Sequence, residues 1–412
     1  MIPFEKYVLD NGLRVIIHED ISTPLVAVSI VYNVGSKDED PDKTGFAHLF
    51  EHLMFGGSAN VPEFDQPIQM AGGENNAFTN VDMTNFYELI PAQNIETALW
   101  LESDRMMQLN FSKKALNTQK KVVIEEFKET CLNEPYGDMW HLLSKLAYQK
   151  HPYQWPTIGK EIKHISDASL EQVESFFYQY YRPNNAILVL AGQISPTKGL
   201  ELAKKWFGDI PVGNFQKPIF DSEPTQQNFR QQIVSQKVPH DAIYRAYHMG
   251  DRLSEDYYAC DMISDILANG RSSRFYQRLY KEQQLFSTID AFISGTTEPG
   301  LFIIEGKTMP GVGIQHASMA IDTELEYLKN ELLPEREITK LKNGLESSLT
   351  FSEVSILNKA LGLGYFEALG DATLINVEAG RYQNITPESI QRVAEKIFRK
   401  ENCSELIYLA KE

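Results

Sequence analysis

The segment His48-Leu49-Phe50-Glu51-His52 constrains this chain more than any other feature, because it places three ionisable side chains in an apolar stretch. In a helix, residues i and i+4 lie one above the other, so His48 and His52 can reach a single ion with Glu51 beside them. Burying these groups without partners would cost several kcal/mol, and a metal ion removes that cost. The spacing therefore predicts a zinc site in which Glu51 is the general base.

Residues on both sides of this motif predict a short buried helix. The stretch 45–54 contains no proline, and the glycine pair Gly56-Gly57 would end the helix. Asp42 and Thr44 are suited to cap its start. The alternative is accidental spacing, which nine histidines in 412 residues would produce on the order of once in a hundred such chains.

A catalytic zinc ion usually has three protein ligands and one open position, so a third ligand is expected elsewhere in the chain. In the stretch 117–130 and just before it, apolar residues recur at helical spacing, namely Leu116, Val122, Val123 and Phe127. Gln119 and Glu126 fall on this apolar face, whereas Glu125 falls with Lys121 and Lys128 on the opposite one. A lone glutamate is ordinarily a surface carboxylate, but this position favours Glu126 as the third ligand.

These motifs resemble those of peptidase family M16, the pitrilysin-type metallopeptidases that include the mitochondrial processing peptidases and the insulin-degrading enzymes. The pattern His48-x-x-Glu51-His52 matches the inverted zinc motif of the family. The stretch 119–126 matches the helix whose last glutamate is the third ligand, and 72–79 matches a segment leading into the substrate-binding strand. The resemblance covers essentially the whole chain.

The resemblance implies a zinc endopeptidase with Zn²⁺ as its cofactor. It implies that His48, His52 and Glu126 bind the metal and that Glu51 is catalytic. It also implies a substrate-binding segment, whose residues are Asn76, Ala77, Phe78 and Thr79. Members of the family enclose their substrate in a chamber formed by two pairs of domains, so a chain of this length supplies half of the enclosure and a second subunit is expected.

The chain departs from the family pattern at two places. Gln119 stands where many members have a glutamate, so it can act beside the metal ligands only as an uncharged hydrogen-bonding group. In the second half, Tyr280 and Ser287 stand where many members have an arginine and a tyrosine that bind the substrate and stabilise the tetrahedral intermediate. That pair is missing, and three nearby arginines are candidate substitutes or simply a solvated face: Arg271, Arg274 and Arg278.

Length and composition limit the class of protein. At 412 residues the chain exceeds the size at which a single core usually stops growing, so two domains are expected. The formal net charge of −17 disfavours nucleic-acid binding and is compatible with basic peptide substrates, or with solubility alone. No apolar run approaches the roughly 18 residues of a membrane span. The first seven residues lack the features of a signal peptide, so we expect a cytoplasmic protein, or a periplasmic one whose export signal was removed.

The order of predicted elements indicates an α+β protein with two homologous domains. Strand-like runs are expected at 7–19, 25–34, 78–89 and 187–190 in the first half, with helices between them. The second half repeats this order with strands at 231–237, 242–248, 287–293 and 300–306, and helices at 314–330 and 338–352. We therefore expect an N-terminal M16 domain at 1–212, a linker at 213–227 and a C-terminal M16-like domain without the metal motif at 228–412. Each domain would be a largely antiparallel sheet packed with helices, the M16 or LuxS-like metallohydrolase fold that the resemblance implies.

The predicted function is cleavage of peptides or unfolded segments by a zinc endopeptidase acting with a second M16 subunit. The missing arginine and tyrosine favour a heterodimer, although a homodimer is also open. A non-catalytic scaffold or chaperone-like subunit is the alternative from another class, and a purely structural zinc site is a third.

Overall fold

The structure, a computed structural model, describes residues 1–216 and 218–411. The chain forms two compact units, each an α+β arrangement of one mixed sheet packed with helices. Unit 1 comprises Met1–Lys128, Pro156–Ile219 and Leu349–Val377. Unit 2 comprises Glu129–Trp155, Phe220–Ser348 and the chain from Glu378 onward.

Each unit is built from three stretches of the chain that are not continuous in sequence. The predicted linker, 213–227, contains the passage from unit 1 to unit 2 between Ile219 and Phe220. In addition, Glu129–Trp155 from the first half belongs to unit 2, and Leu349–Val377 from the second half belongs to unit 1. A division into contiguous stretches at 212 and 228 does not include these exchanges, because they depend on packing between segments that are distant in sequence.

The sheet of unit 1 has six strands, which are β1 (Glu5–Val8), β2 (Arg14–Glu19), β3 (Leu25–Tyr32), β4 (Glu74–Thr79), β5 (Thr84–Pro91) and β6 (Ala186–Gly192). Their order in the sheet is β1-β2-β6-β3-β5-β4, so β4 is an edge strand. Strands β2 and β6 are parallel, and all the other neighbours are antiparallel.

Two runs predicted as single strands are hairpins. The run 7–19 turns between β1 and β2 at Gly12, whose positive φ of 86° suits glycine. The run 78–89 turns between β4 and β5, where the side chain of Asn80 accepts hydrogen bonds from the N–H groups of Asp82 (2.8 Å) and Met83 (2.9 Å). An asparagine that bonds to the backbone two residues on is a turn former, and this signal was missed in the sequence.

The α-helices, numbered along the chain, are α1 (Phe46–Phe55), α2 (Asp65–Met70), α3 (Ile95–Met107), α4 (Lys113–Phe127), α5 (Met139–Ala147), α6 (Ile162–Ser166), α7 (Leu170–Tyr180), α8 (Pro196–Phe207), α9 (Tyr257–Ala268), α10 (Ile314–Asn330), α11 (Glu335–Ser352), α12 (Ile356–Ala368), α13 (Glu378–Gln383) and α14 (Pro387–Ile397). None of the helices formed by the described residues is long and apolar enough to cross a membrane.

Both faces of the unit 1 sheet are covered. Successive side chains of a strand point to opposite faces, so in β3 the side chain of Ile30 joins the core that includes α1, whereas that of Val31 joins a second core formed with α12. Gly364 brings α12 close to the sheet, because a Cβ at this position would lie 2.8 Å from a methyl carbon of Val31. The close approach leaves no room for a side chain.

Unit 2 repeats the topology of unit 1 with one strand fewer. Its strands are β7 (Arg230–Gln236), β8 (Ala242–His248), β9 (Phe286–Ile293), β10 (Leu301–Thr308) and β11 (Cys403–Ala410). Their order, β7-β11-β8-β10-β9, matches β2-β6-β3-β5-β4, and the only parallel pair in the sheet is again the first one. The predicted pair of homologous α+β domains is confirmed. The sequence pattern predicts no elements after residue 352, where the structure has α12, α13, α14 and β11.

Replacing Gly364 by valine is expected to destabilise the protein by about 1–3 kcal/mol, because extra carbon atoms would overpack the contact with Val31. Gly344 in α11 provides the control, since nothing lies within 4 Å of its added Cβ. There the same change to valine should be neutral or slightly stabilising, because valine is a better helix former than glycine. Denaturant unfolding of both variants measures the difference, and equal effects would contradict the close packing of α12.

Candidate metal centre

Helix α1 carries the histidine pair on one side and is fixed to the core of unit 1 by the other. Phe50 is fully buried and stacks on Tyr181, with ring centroids 5.0 Å apart. The polar side chains are only partly covered, with exposed fractions of 15% for His48, 19% for Glu51 and 25% for His52. Anchoring by Phe50 therefore presents the three polar groups at the surface of the core.

The C-terminal end of α1 rests on a buried cation. Phe55 packs edge-on against Phe64, with centroids 5.8 Å apart. The guanidinium of Arg105 lies 4.2 Å from the ring centroids of both Phe64 and Phe86, and its Nε donates to Glu102 at 2.8 Å. Cation–π contacts of this kind strengthen when they are shielded from water. The end of the helix is thereby held in one place.

The start of α1 is not capped by Asp42 or Thr44, and that prediction is wrong. The residue before the helix is Gly45, with a left-handed φ of 89° and no side-chain cap. The Thr44 hydroxyl lies 2.8 Å from Nδ1 of His164 instead. The N–H groups at the start of the helix, those of Gly45 and Ala47, are bound by the carboxylate of Glu39.

Helix α4 brings Glu126 to the histidines. The hydroxyl of Ser112 caps the helix by accepting from the N–H of Ala115 at 3.1 Å. The residues of α4 that are buried are Leu116, Val123 and Phe127. Val122 is 45% exposed, so the inner face is narrower than the sequence suggested. Glu125 is exposed and pairs with Lys128 at 2.7 Å, as expected for the outer face.

Three side chains from the two helices converge. Oε2 of Glu126 lies 3.2 Å from Nε2 of His48 and 3.2 Å from Nε2 of His52. The two imidazole rings are 4.8 Å apart. Glu51 lies beside them, with Oε2 3.9 Å from Nδ1 of His48. The structure therefore brings together the residues that the sequence singled out for zinc and for proton transfer.

The electrostatics and donor types of this cluster suit a divalent cation. Hydrogen bonds from His48, and then from His52, hold the pKa of the Glu126 carboxyl well below its usual range, so it is an anion at neutral pH. The ligand atoms of His48, His52 and Glu126 all lie within 4.8 Å of one another. Among the described residues, no other group of three or more histidine, cysteine, aspartate or glutamate side chains is arranged so that it could hold a metal ion. Two imidazole nitrogens and one carboxylate oxygen form a known set of ligands for catalytic zinc, and the residues present therefore fit that ion.

Gln119 lies two turns before Glu126 on α4, at the C-terminal end of α1. Its side-chain nitrogen is 3.5 Å from the position that a Cβ on Gly56 would occupy. Gly56 is the residue that ends α1. Gln119 therefore packs against the end of the helix that bears the histidines, and its predicted role beside the ligands stays a prediction.

Residues Asn76, Ala77, Phe78 and Thr79 lie within β4 itself, not before it. Among the residues that the structure describes, β4 pairs with no strand besides β5, so its other edge is open, and α1 packs against the same strand. Ala77 packs against the main core, whereas the side chain of Phe78 on the opposite face is 39% exposed. The helix that carries the histidines and this edge of the strand are thus neighbours in unit 1.

In unit 2, the positions aligned with the missing arginine and tyrosine have other contacts. Tyr280 belongs to a π-helical turn and stacks on Tyr276, with centroids 5.1 Å apart. The Ser287 hydroxyl donates to a backbone carbonyl in the neighbouring strand at 3.1 Å. Two of the nearby arginines, Arg274 and Arg278, pair with carboxylates at 3.2 and 2.8 Å. These ion pairs give the two arginines structural partners within unit 2, and their role as substitutes for the missing pair stays a prediction.

Comparison with known families places the chain. A family model described as Insulinase (Peptidase family M16) matches residues 14–161, and one described as Peptidase M16 inactive domain matches residues 167–345. The chain belongs to peptidase family M16. The metal motif lies in the first match, and the positions of the missing pair lie in the second.

Relatives of this M16 chain are named as zinc proteases. The zinc protease PqqE of Helicobacter pylori is 29% identical over 345 residues, which are 82% of this chain and 77% of that protein. A Bacillus subtilis protein named uncharacterized zinc protease YmxG is 24% identical over 411 residues, 98% of each chain. The crystal structure of a protease from Helicobacter pylori has a TM-score of 0.95 and 25% identity, and the match covers 99% of this chain and 100% of that one.

A longer structure shares the fold. The periplasmic protease PqqL from Escherichia coli matches with a TM-score of 0.80 at 16% identity. The match covers 99% of this M16 chain but 48% of that chain. The present chain thus corresponds in fold to about half of PqqL.

Replacing Glu126 by glutamine is expected to weaken zinc binding by about 10-fold or more, because an amide oxygen is a poorer ligand than a carboxylate. The matched control is Glu125→Gln on the outer face of the same helix, which should bind zinc as the unaltered protein does. Competition with a chromogenic chelator measures both dissociation constants. Loss of zinc from the Glu125 variant alone would contradict the assignment of helix faces.

Proposed function

We propose that this protein is a zinc-dependent endopeptidase that cleaves peptides or unfolded segments of polypeptide. The observation that carries the proposal is the convergence of His48, His52 and Glu126, with Glu51 beside them. The names of its relatives support the same reaction. A purely structural zinc site would require a closed shell of four ligands, and among the described residues no fourth ligand belongs to the group.

The side chains have separate roles in this proposal. His48, His52 and Glu126 would hold a zinc ion, which when bound polarises the scissile carbonyl and lowers the pKa of water towards neutrality. Glu51 accepts a proton from the attacking water and delivers it to the leaving amine. Its place one turn before the end of a rigid, core-anchored helix keeps its carboxylate on the same side as the histidines. General acid–base catalysis of this kind contributes about 10²–10⁴ in rate.

The substrate would bind as an additional strand along β4. The open edge of β4 offers main-chain N–H and C=O groups to an extended peptide, and the strand adjoins α1. Pairing through the main chain tolerates many side chains. Such a site therefore suits unfolded segments of varied sequence, and discrimination among them must come from groups outside the strand.

A second M16 subunit would complete the enclosure around the substrate. This chain has Tyr280 and Ser287 where many members of the family have an arginine and a tyrosine. It therefore lacks the pair with which those members stabilise the oxyanion. Loss of one oxyanion donor typically costs about 10²–10³ in rate. We therefore infer a heterodimer in which a homologous subunit supplies these groups, with a homodimer as the simpler alternative.

A non-catalytic role within an M16 complex is the second candidate function. The match of residues 167–345 to a model described as an inactive domain, together with the missing pair, favours it. An inactive scaffold, however, has no need for both metal-ligating histidines and a base at Glu51. Zinc binding combined with peptide cleavage separates the two candidates, because a scaffold would do neither or only the first.

The change Glu51→Gln is expected to leave zinc binding and folding intact while peptide cleavage falls by at least about a hundredfold, because the proton acceptor is lost and the ligands remain. Hydrolysis of an unstructured fluorogenic peptide and the zinc content of the purified variant measure the two effects. The control is Glu125→Gln, a change of the same kind on the outer face of α4. Undiminished turnover in the Glu51 variant would contradict its role as the base.

This inactive variant also permits a test of β4 with uncleaved substrate. Methylating backbone nitrogens of the peptide should weaken its binding, because main-chain hydrogen bonds are lost. Side-chain substitutions in the same peptide should have smaller effects. If the methylated and unmethylated peptides bind equally well, the substrate does not bind along β4.

The isolated chain is expected to cleave peptides weakly, and addition of a homologous subunit that retains the arginine and tyrosine should raise the rate by about 10²-fold or more. Peptide hydrolysis by each subunit alone and by the mixture measures this. Full activity of the single chain would exclude the heterodimer and leave the homodimer. The partner with its arginine replaced by alanine is the control.

A further inference from the structure

The first turn of α1 needs partners for its N–H groups, and the sequence just before it supplies none in the usual way. The first N–H groups of any helix lack acceptors within the helix, and a serine, threonine, aspartate or asparagine at the preceding position commonly binds them. In α1 that position is Gly45. A Cβ at Gly45 would lie 2.8 Å from the carbonyl oxygen of Ile158, so no capping side chain fits there.

Glu39 replaces the missing cap from six residues upstream. Its Oε2 accepts from the N–H of Gly45 at 2.9 Å, and its Oε1 accepts from the N–H of Ala47 at 2.8 Å. The residue is 5% exposed, so water hardly competes for these bonds. A carboxylate at this end also interacts favourably with the helix dipole. Both oxygens of one side chain therefore hold the turn that includes His48.

The short segment that carries Glu39, residues 37–39, is bound to the hairpin that contains the edge strand β4. Lys37 pairs with Asp82 in the turn between β4 and β5 at 2.5 Å, and both residues are buried. The N–H of Lys37 also donates to the carbonyl of Val81 at 3.0 Å. Glu39 follows two residues later. The segment thus connects the strand proposed for substrate binding to the helix proposed for metal binding.

We propose that Glu39 is a positioning residue for the metal centre. By fixing the first turn of α1 against the β4–β5 hairpin, it keeps the imidazole of His48 directed at Glu126. His48 is the third residue of the helix and follows Ala47 directly, so release of the first turn would displace it. His52 lies one turn further on, where Phe50 and Phe55 anchor the helix independently. Loss of Glu39 is therefore expected to displace the imidazole of His48 more than that of His52.

This inference rests on the proposed zinc site and goes beyond it, because it gives a role to Glu39, whose carboxylate binds the backbone N–H groups of Gly45 and Ala47. Glu39→Gln is the direct test, since the amide keeps one acceptor oxygen but turns an NH₂ group towards a backbone N–H. Groups that orient metal ligands from outside commonly contribute about 10–100-fold to metal affinity. We expect the zinc dissociation constant of the variant to rise by about that factor.

The control is Asp42→Asn, the same exchange of carboxylate for amide in the exposed part of the same loop. It should leave zinc affinity unchanged. Binding is measured by competition with a chelator, and the visible absorption spectrum of the Co²⁺-substituted proteins reports the geometry of the ligands. An altered cobalt spectrum in the Glu39 variant, but not in the Asp42 variant, is the expected result.

The outcomes separate this inference from the proposed function. If the unaltered protein binds neither zinc nor cobalt, the proposed zinc site fails. If it binds both, and Glu39→Gln lowers only the thermal unfolding temperature while zinc affinity and the cobalt spectrum stay unchanged, Glu39 is an ordinary helix cap and the inference is overturned. If Glu39→Gln does not fold, Glu39→Asp, which is shorter by one methylene and reaches only one N–H group, decides between these results by the same measurements.

Discussion

The packing of α1 against α4 is the contact on which the candidate centre depends, because neither helix contains a complete set of ligands. Two imidazoles come from one helix and the carboxylate of Glu126 from the other, and the three meet within hydrogen-bonding distance. Removing a charged group from water costs free energy unless another group pairs with it. The histidines and Glu126 satisfy this requirement mutually, which keeps Glu126 ionised and ready to bind a cation.

The second unit demonstrates that the framework alone does not create the centre. Helix α9 lies between β8 and β9 as α1 lies between β3 and β4, yet it has no histidine. It carries Asp261 and Asp265 at the same spacing of four, and burial raises the pKa of both carboxyls and so favours their neutral forms. Tyr382 donates to Asp261, and Asn269 donates to Asp265 at 2.8 Å. The same backbone arrangement thus supports two aspartates that each accept a hydrogen bond from another side chain in one unit, and a candidate cation-binding group in the other.

The parts of this structure that were predictable from sequence are those set by local pattern. The helix of the motif, the helix of Glu126 and the outward orientation of Glu125 all follow from a period of 3.6 residues, and the structure has them. Pairing between distant segments leaves no such trace. Nothing local specifies that β2 lies parallel to β6, or that α12 packs on the sheet of unit 1.

Glu39 was missed for a related reason. Sequence rules predict a capping residue directly before the helix. Here the carboxylate of Glu39 caps the helix from six residues upstream of Gly45, because Gly45 turns the chain. The Asn80 turn, in contrast, had a readable signal, and an asparagine between two apolar runs should have divided the predicted strand 78–89. A contact that depends on a reversal of the chain can be predicted from sequence only when the residue at the turn is of a type that is known to form turns.

The partial exposure of the centre follows from what each group must do. Burial alone would raise the pKa of Glu126, and here the hydrogen bonds from His48 and His52 outweigh that effect. With more burial the carboxylate would tend towards its neutral form and lose its value as a ligand, whereas with full exposure water would compete for both imidazoles. The exposed fractions, from 15% for His48 to 37% for Glu126, lie between these limits. A helix anchored by Phe50 on one side and left open on the other is therefore a physical condition for the proposed centre, which would hold a cation and still admit a peptide.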